Sequence, residues 1–228
     1  MRAVWLLALN FAFEQRWTVV VMLVYGVFLG SIALYKPQPQ DVVSLARMMA
    51  MYGVLFGGVL AAAAVQQDRR TRRILSVLSK GITRGQYLAG VLLGIFLALC
   101  VYWLVVAVAM TWAAARVGLN PASVSTYVVF TLSACLLALV TPLFFATLFP
   151  PMLALGFAGA VLALAAVAPE PLRTLLSVET LARTLGEYAF TGQRLPWSAA
   201  VMAIADTVVL WAAATLIFSR RDLAVAVD

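Results

Sequence analysis

Tyr87-Leu88-Ala89-Gly90-Val91-Leu92-Leu93-Gly94-Ile95-Phe96-Leu97-Ala98-Leu99-Cys100-Val101-Tyr102-Trp103-Leu104-Val105-Val106-Ala107-Val108-Ala109-Met110-Thr111-Trp112-Ala113 contains no Asp, Glu, Lys, Arg or Pro. This run exceeds the roughly 20 apolar residues that a helix needs to cross a bilayer. Similar runs occupy Trp17–Tyr35, Met48–Val65, Val124–Leu148, Met152–Ala168 and Trp197–Phe218. Across all 228 residues, 64% are apolar, 11% are charged and the mean hydropathy is +1.02. Soluble domains hold about 45–50% apolar and about 25% charged residues. This composition argues against a soluble globular protein and a disordered chain. Barrel strands would be shorter and would alternate. The chain reads as an all-α integral membrane protein, a single transmembrane domain over 1–228 with about six spans.

The segments between the runs carry their own signals. Phe149-Pro150-Pro151 predicts a tight hairpin between the fourth and fifth runs, because Pro lacks the N–H a helix needs. Pro142 predicts a kink in the fourth. Pairs such as Gly26/Gly30 and Gly90/Gly94 allow helices to approach closely. Lys36–Asp41 reads as a Pro-rich turn. In Arg2–Arg16, Trp5, Leu6, Leu9 and Phe13 recur at three- and four-residue spacing beside Asn10, Glu14 and Gln15. That pattern predicts an amphipathic helix lying along the membrane interface over 1–16. Pro169–Pro196 contains Leu172, Leu175, Leu176, Val178, Leu181, Leu185 and Tyr188, which predict one or two short outer helices between spans five and six. No targeting peptide is expected, since no small-residue cleavage site precedes the first long run.

Basic residues orient the spans. With six spans both termini share a side. That side holds ten basic residues: Arg2, Arg16, Arg69, Arg70, Arg72, Arg73, Lys80, Arg84, Arg220 and Arg221. The other side holds six: Lys36, Arg47, Arg116, Arg173, Arg183 and Arg194. Both termini and the segment 66–86 are therefore expected in the cytoplasm. The net charge of +7 is then a matter of topology and lipid anchoring, with no nucleic-acid partner implied.

The chemistry available is narrow. The chain has no histidine, which removes His-based acid–base work, His metal sites and Ser–His catalysis. Cys100 and Cys135 sit inside apolar runs and read as packing residues. The two cysteines and eight methionines show no ligand spacing, so no metal is expected. Neither lysine, Lys36 or Lys80, sits in a phosphate-binding Gly-x-x-x-x-Gly-Lys-Ser/Thr frame. Asp206 is the one clear acid inside a run. A charge there costs about 2.5–3.5 kcal/mol on insertion scales, so it calls for a partner or a protonated state. It reads either as a substrate or proton-path residue or as a structural group bonded to a Thr or Ser. Thr207 and the fourth-run residues Thr131, Ser133, Thr141 and Thr147 are the donors at hand.

The segment 66–86 is the most informative connection. Ile74, Leu75, Val77 and Leu78 form an apolar patch beside the basic run. Lys80-Gly81 marks a helix stop, since Gly takes the left-handed cap at little cost. Thr83 with Gln86 matches a capping box opening the third run. The order predicts a helix end, a sharp turn and a new helix at the membrane surface.

Leu75-Ser76-Val77-Leu78-Ser79-Lys80-Gly81-Ile82-Thr83-Arg84-Gly85-Gln86-Tyr87-Leu88-Ala89-Gly90 resembles the permease subunits of type-2 ABC exporters, which read "LLSKPISR" and then a Tyr-Leu-x-Gly-Lys run. Leu176–Arg183 resembles their outer "LNPxExxR" segment, and Phe218-Ser219-Arg220-Arg221-Asp222-Leu223 their "FxRRDL" close. Gly81 stands where Pro is usual, Val91 where Lys is common, and Arg70-Thr71 where Gly-Thr is expected.

The resemblance implies a small six-span permease paired with a second copy of itself or a similar chain in a bacterial inner membrane. A cytoplasmic ABC ATPase subunit would bind ATP and Mg, so this chain would be no enzyme and hold no cofactor. Residues 1–16 would be an elbow helix. The segment with Asp68, Arg69, Arg70, Arg72, Arg73, Ser79, Lys80 and Gly81 would couple to the ATPase. Pro169–Pro196 would lie near an exit gate. The competing reading is a membrane scaffold or sensor that docks a cytoplasmic partner through the same basic segment without transporting anything. An intramembrane enzyme is disfavoured by the missing histidine and by the single acid in a run.

Overall fold

A computed structural model describes residues 2–33, 38–70, 73–79, 81–167 and 197–220, and among them all regular structure is helical. The helices are α1 (Arg2–Glu14), α2 (Arg16–Ala33), α3 (Pro39–Arg70), α4 (Arg73–Leu78), α5 (Arg84–Arg116), α6 (Pro121–Ala146), α7 (Pro151–Val167) and α8 (Trp197–Arg220). Four of them contain stretches long and apolar enough to cross a membrane: Gln40–Gln66, Arg84–Arg116, Ala122–Ala146 and Ala200–Arg220. Helices α1 and α2 meet the same test only as a pair, bent by 53°. Among the described residues the all-helical chain thus has four helices able to span a membrane, or five when that pair counts as one.

Among the described residues the expected count of six is not reached by length. Helix α2 has 18 residues, and its described part passes the test only together with α1. Helix α7 has 17 residues. At 1.5 Å per residue that is about 26 Å, short of the roughly 30 Å hydrocarbon core. The 28 residues of Pro169–Pro196, with their expected outer helices, lie outside the described residues.

Both ends of α3 differ from the sequence reading. The Lys36–Asp41 segment was expected to be a turn, yet α3 begins at Pro39. Pro suits the first helical position, where its missing N–H has no intrahelical role. The Asp41 carboxylate accepts from the Gln38 N–H at 2.9 Å and fixes that start. At the other end α3 runs through Arg70, so Gln66–Arg70 are helical and not loop. Gln, Asp and Arg extend a helix without difficulty when nothing breaks it.

Helices α5 and α6 form the centre. Helix α5 packs against α1, α3, α6 and α8, and α6 packs against α3, α7 and α8. Trp103 of α5 is fully buried, edge-on to Tyr102 (5.6 Å) and Tyr127 (6.1 Å). A Cβ on Gly53 would come within 3.1 Å of its ring, so α3 fits there only because it lacks a side chain. Tyr102 donates to the Met49 carbonyl at 3.3 Å, and Tyr127 donates to the Ala46 carbonyl. Two phenols from two helices thus hold the same stretch of α3. The close approach read from Gly90/Gly94 is present too. A Cβ on Gly94 would lie 2.8 Å from the Ala8 carbonyl, so α1 rests directly on α5.

Helix α6 continues as one helix through Pro142 and ends at Ala146. The Leu148 and Phe149 N–H groups close back on the Phe145 carbonyl, and α7 starts at Pro151, which makes the expected hairpin. In α1 the buried residues are Ala8 and Phe11, whereas Trp5, Leu6, Leu9 and Phe13 are exposed. Its apolar side chains therefore face away from the bundle, toward what would be lipid.

Candidate functional site

The corner where α3, α4, α5 and α8 meet contains the segment that sequence singled out. Helix α4 is a single turn and a half. Ile74 is buried, Leu78 is half-buried at the next turn, and Leu75 is 41% exposed on the other face. The helix closes through Ser79 N–H to the Leu75 carbonyl at 2.9 Å and Gly81 N–H to the Leu78 carbonyl at 3.1 Å. Gly81 has φ +78°, a left-handed conformation that Cβ-bearing residues resist. Thr83 then caps α5. Its hydroxyl accepts from the Gln86 N–H at 3.3 Å, and the Gln86 side chain accepts from the Thr83 N–H at 3.0 Å. The helix end, turn and capping box all form as the spacing predicted.

The first turn of α5 is bound on two sides. The Tyr87 hydroxyl donates to Asp68 Oδ2 at 2.7 Å, tying α5 to the last turns of α3. The Arg84 guanidinium donates to the carbonyls of Phe218 (2.8 Å) and Ser219 (3.0 Å). These are end-of-helix carbonyls of α8, where a cation also meets the negative end of the helix dipole. Tyr87 and Phe218 stack with centroids 6.1 Å apart. A Cβ on Gly85 would sit 2.8 Å from Thr215, so α5 and α8 touch closely here. The first turn of α5 is therefore joined to both α3 and α8 through short, directional contacts.

The expected coupling residues divide. Asp68 is 5% exposed and serves the tie to Tyr87, not the surface. Ser79 is exposed in the turn and Gly81 shapes it. Arg69 and Arg70 lie in the last turn of α3, and Arg73 opens α4. Arg72 and Lys80 lie outside the described residues, as does Arg221. Arg84, Tyr87 and Phe218 were not singled out as site residues. Arg84 and Phe218 are 134 residues apart, and no local pattern announces their contact.

Asp206 is half-exposed on α8, and its Oδ2 is buried with no hydrogen-bond partner among the described residues. The donors expected for it are engaged elsewhere. Thr207 donates to the Ala203 carbonyl, Thr131 to Tyr127, Ser133 to Phe130, Thr141 to Leu137 and Thr147 to Phe144. Helical Ser and Thr commonly bond back to their own helix in this way. Trp211 Nε1 and Thr215 Oγ1, also on α8, are likewise buried without partners among the described residues. Helix α8 is also the least covered of the four spanning helices.

Cys100 is half-buried and Cys135 buried, and both are free thiols. Among the described residues no group of three or more His, Cys, Asp or Glu side chains gathers to hold a metal. No protein-family model and no curated protein matches this chain.

Proposed function

We propose that the chain is the membrane permease subunit of an ABC transporter, moving a substrate outward across a bacterial inner membrane. The observation that carries the reading is the bound corner at α4. The stretch resembling the permeases folds as a short helix with one outward apolar residue, Leu75, and its exit is fastened to α3 and α8. That is what a part receiving force from a cytoplasmic ATPase needs: an exposed contact and a stiff connection to several spans.

In this reading α4 and the basic residues Arg69, Arg70, Arg72, Arg73 and Lys80 meet the ATPase, which holds ATP and Mg. Ser79 and Gly81 give the turn its shape, and Asp68 anchors it from within. Helix α1 is the elbow lying at the interface. Helices α2 and α7 complete six spans with both termini in the cytoplasm, and a second copy or similar permease completes the pathway. The partnerless polar atoms of Asp206, Trp211 and Thr215 support a substrate path or second permease beside α8 in this reading.

The test is purification from the native membrane in mild detergent with the mass of the complex measured. Two copies of this chain, or one with a similar permease, bound to two ATPase chains is the expected result. A chain that purifies alone, or with a partner lacking ATPase activity, overturns the proposal in favour of the scaffold reading.

A further inference from the structure

We infer that a groove between α2, α3 and α5 holds one acyl chain of an anionic phospholipid whose phosphate rests on Arg116. The groove has a volume of about 220 Å³ and is lined by Leu23, Val27, Leu45, Met49, Tyr102 and Trp112 among others. It exceeds the roughly 150 Å³ that suffices for an apolar cavity to take up benzene. Its one hydroxyl, on Tyr102, already donates to the Met49 carbonyl at 3.3 Å. The lining therefore suits hydrocarbon and offers little to a polar solute. From Tyr102 to Trp112 the groove follows α5 for about 15 Å, the direction an acyl chain takes through a bilayer.

The Trp112 end is different. The Arg116 guanidinium stands over the Trp112 ring at 4.5 Å, in the last turn of α5. No carboxylate among the described residues pairs with it. Trp favours the membrane interface, where headgroups lie. A guanidinium fixed there by an aromatic face presents its remaining N–H groups to phosphate oxygens, a match its planar fork makes well. A hydrocarbon slot with an unneutralised cation stacked on its Trp112 end is complementary to an amphiphile with an acidic head. Phosphatidylglycerol fits that description. Phosphatidylcholine fills the slot equally but brings its own cation to Arg116.

The experiment titrates the full chain in mixed micelles with phosphatidylglycerol or phosphatidylcholine bearing the same brominated acyl chains. Quenching of Trp112 is isolated by subtracting the Trp112→Phe variant. Phosphatidylglycerol is expected to reach half-quenching at about one-fifth the mole fraction of phosphatidylcholine, the preference one surface cation supplies. Arg116→Gln should bring the two midpoints together, while Arg220→Gln leaves them apart. Ala109→Phe, which fills the groove, should raise both midpoints. Equal midpoints in the unaltered chain, or a preference that survives Arg116→Gln, overturn the headgroup site. Midpoints unmoved by Ala109→Phe show that Trp112 meets only bulk lipid and overturn the groove.

Discussion

The Tyr87 hydroxyl donates to Asp68 Oδ2 at 2.7 Å, with both side chains buried. The bond ties the end of one spanning helix to the start of the next, across the turn that connects them. Removing the donor takes one charge-assisted hydrogen bond from a buried carboxylate, which costs about 1–3 kcal/mol. Tyr87→Phe should therefore lower the thermal midpoint in detergent clearly. Tyr102→Phe, which gives up a 3.3 Å bond to a carbonyl already used by its helix, should lower it less. Equal losses from the two variants would show that the Asp68 bond has no special weight.

At Gly81 nothing lies within 4 Å of the position a Cβ would take, so any penalty there is backbone alone. With φ at +78°, Gly81→Ala is expected to cost about 1–2 kcal/mol and Gly81→Asn less, since Asn tolerates this region. Chemical denaturation of the two variants checks the order. If Ala and Asn behave alike, the turn has rearranged.

Gly94→Ala should act differently, through contact. The new methyl meets the Ala8 carbonyl and Phe11 Cβ at under 3 Å, so α1 must lift from α5. Hydrogen exchange should speed up in Arg2–Glu14 and stay unchanged in α6. Uniform acceleration across the chain would mean that α1 is not a separately detachable element.

Ile74 and Leu75 are neighbours with opposite duties. Ile74→Asp puts a charge into the core and should abolish stable expression. Leu75→Asp changes an exposed side chain, so stability should move by no more than about 0.5 kcal/mol. If α4 meets an ATPase, that variant should nevertheless lose substrate-driven ATP hydrolysis in reconstituted vesicles. Retained hydrolysis would place the docking surface elsewhere.

Asp206 has a buried oxygen without a partner among the described residues. Asp206→Leu should leave the isolated chain as stable or more so, by up to about 3 kcal/mol, because an acid at this depth is costly. A lower thermal midpoint would reveal a bond that the carboxyl makes. Transport measured on the same variant separates a path residue from a tolerated one.

What the sequence discloses here follows from range. The Lys80-Gly81 stop and the Thr83–Gln86 box were legible because each is decided within four positions. The uncharged run after Tyr87 declared α5 for the same reason. The inward turn of Asp68 was not legible, since a carboxylate among arginines looks like a solvated face until Tyr87 is seen above it. Nor was the Arg84 contact with α8, which joins distant parts of the chain. In α1 the four side chains that the spacing groups together, Trp5, Leu6, Leu9 and Phe13, are all exposed. That spacing gave no hint that the small residue Ala8, with Phe11, would be the side pressed against Gly94. The shortness of α7 was legible as well, since the run Met152–Ala168 has only 17 residues.

Helix α5 has 33 residues, and no charge intervenes between Arg84 and Arg116. Its length of about 50 Å exceeds a hydrocarbon slab of roughly 30 Å by several turns. The waterline can therefore settle at different heights along the rod as bilayers thin or thicken, and neither terminal arginine has to enter oil. The Arg84 and Tyr87 fastenings are made in the first turn of that rod, at its very end. The bonds that shape the corner are made within the protein, so a bilayer that thins or thickens has none of them to break.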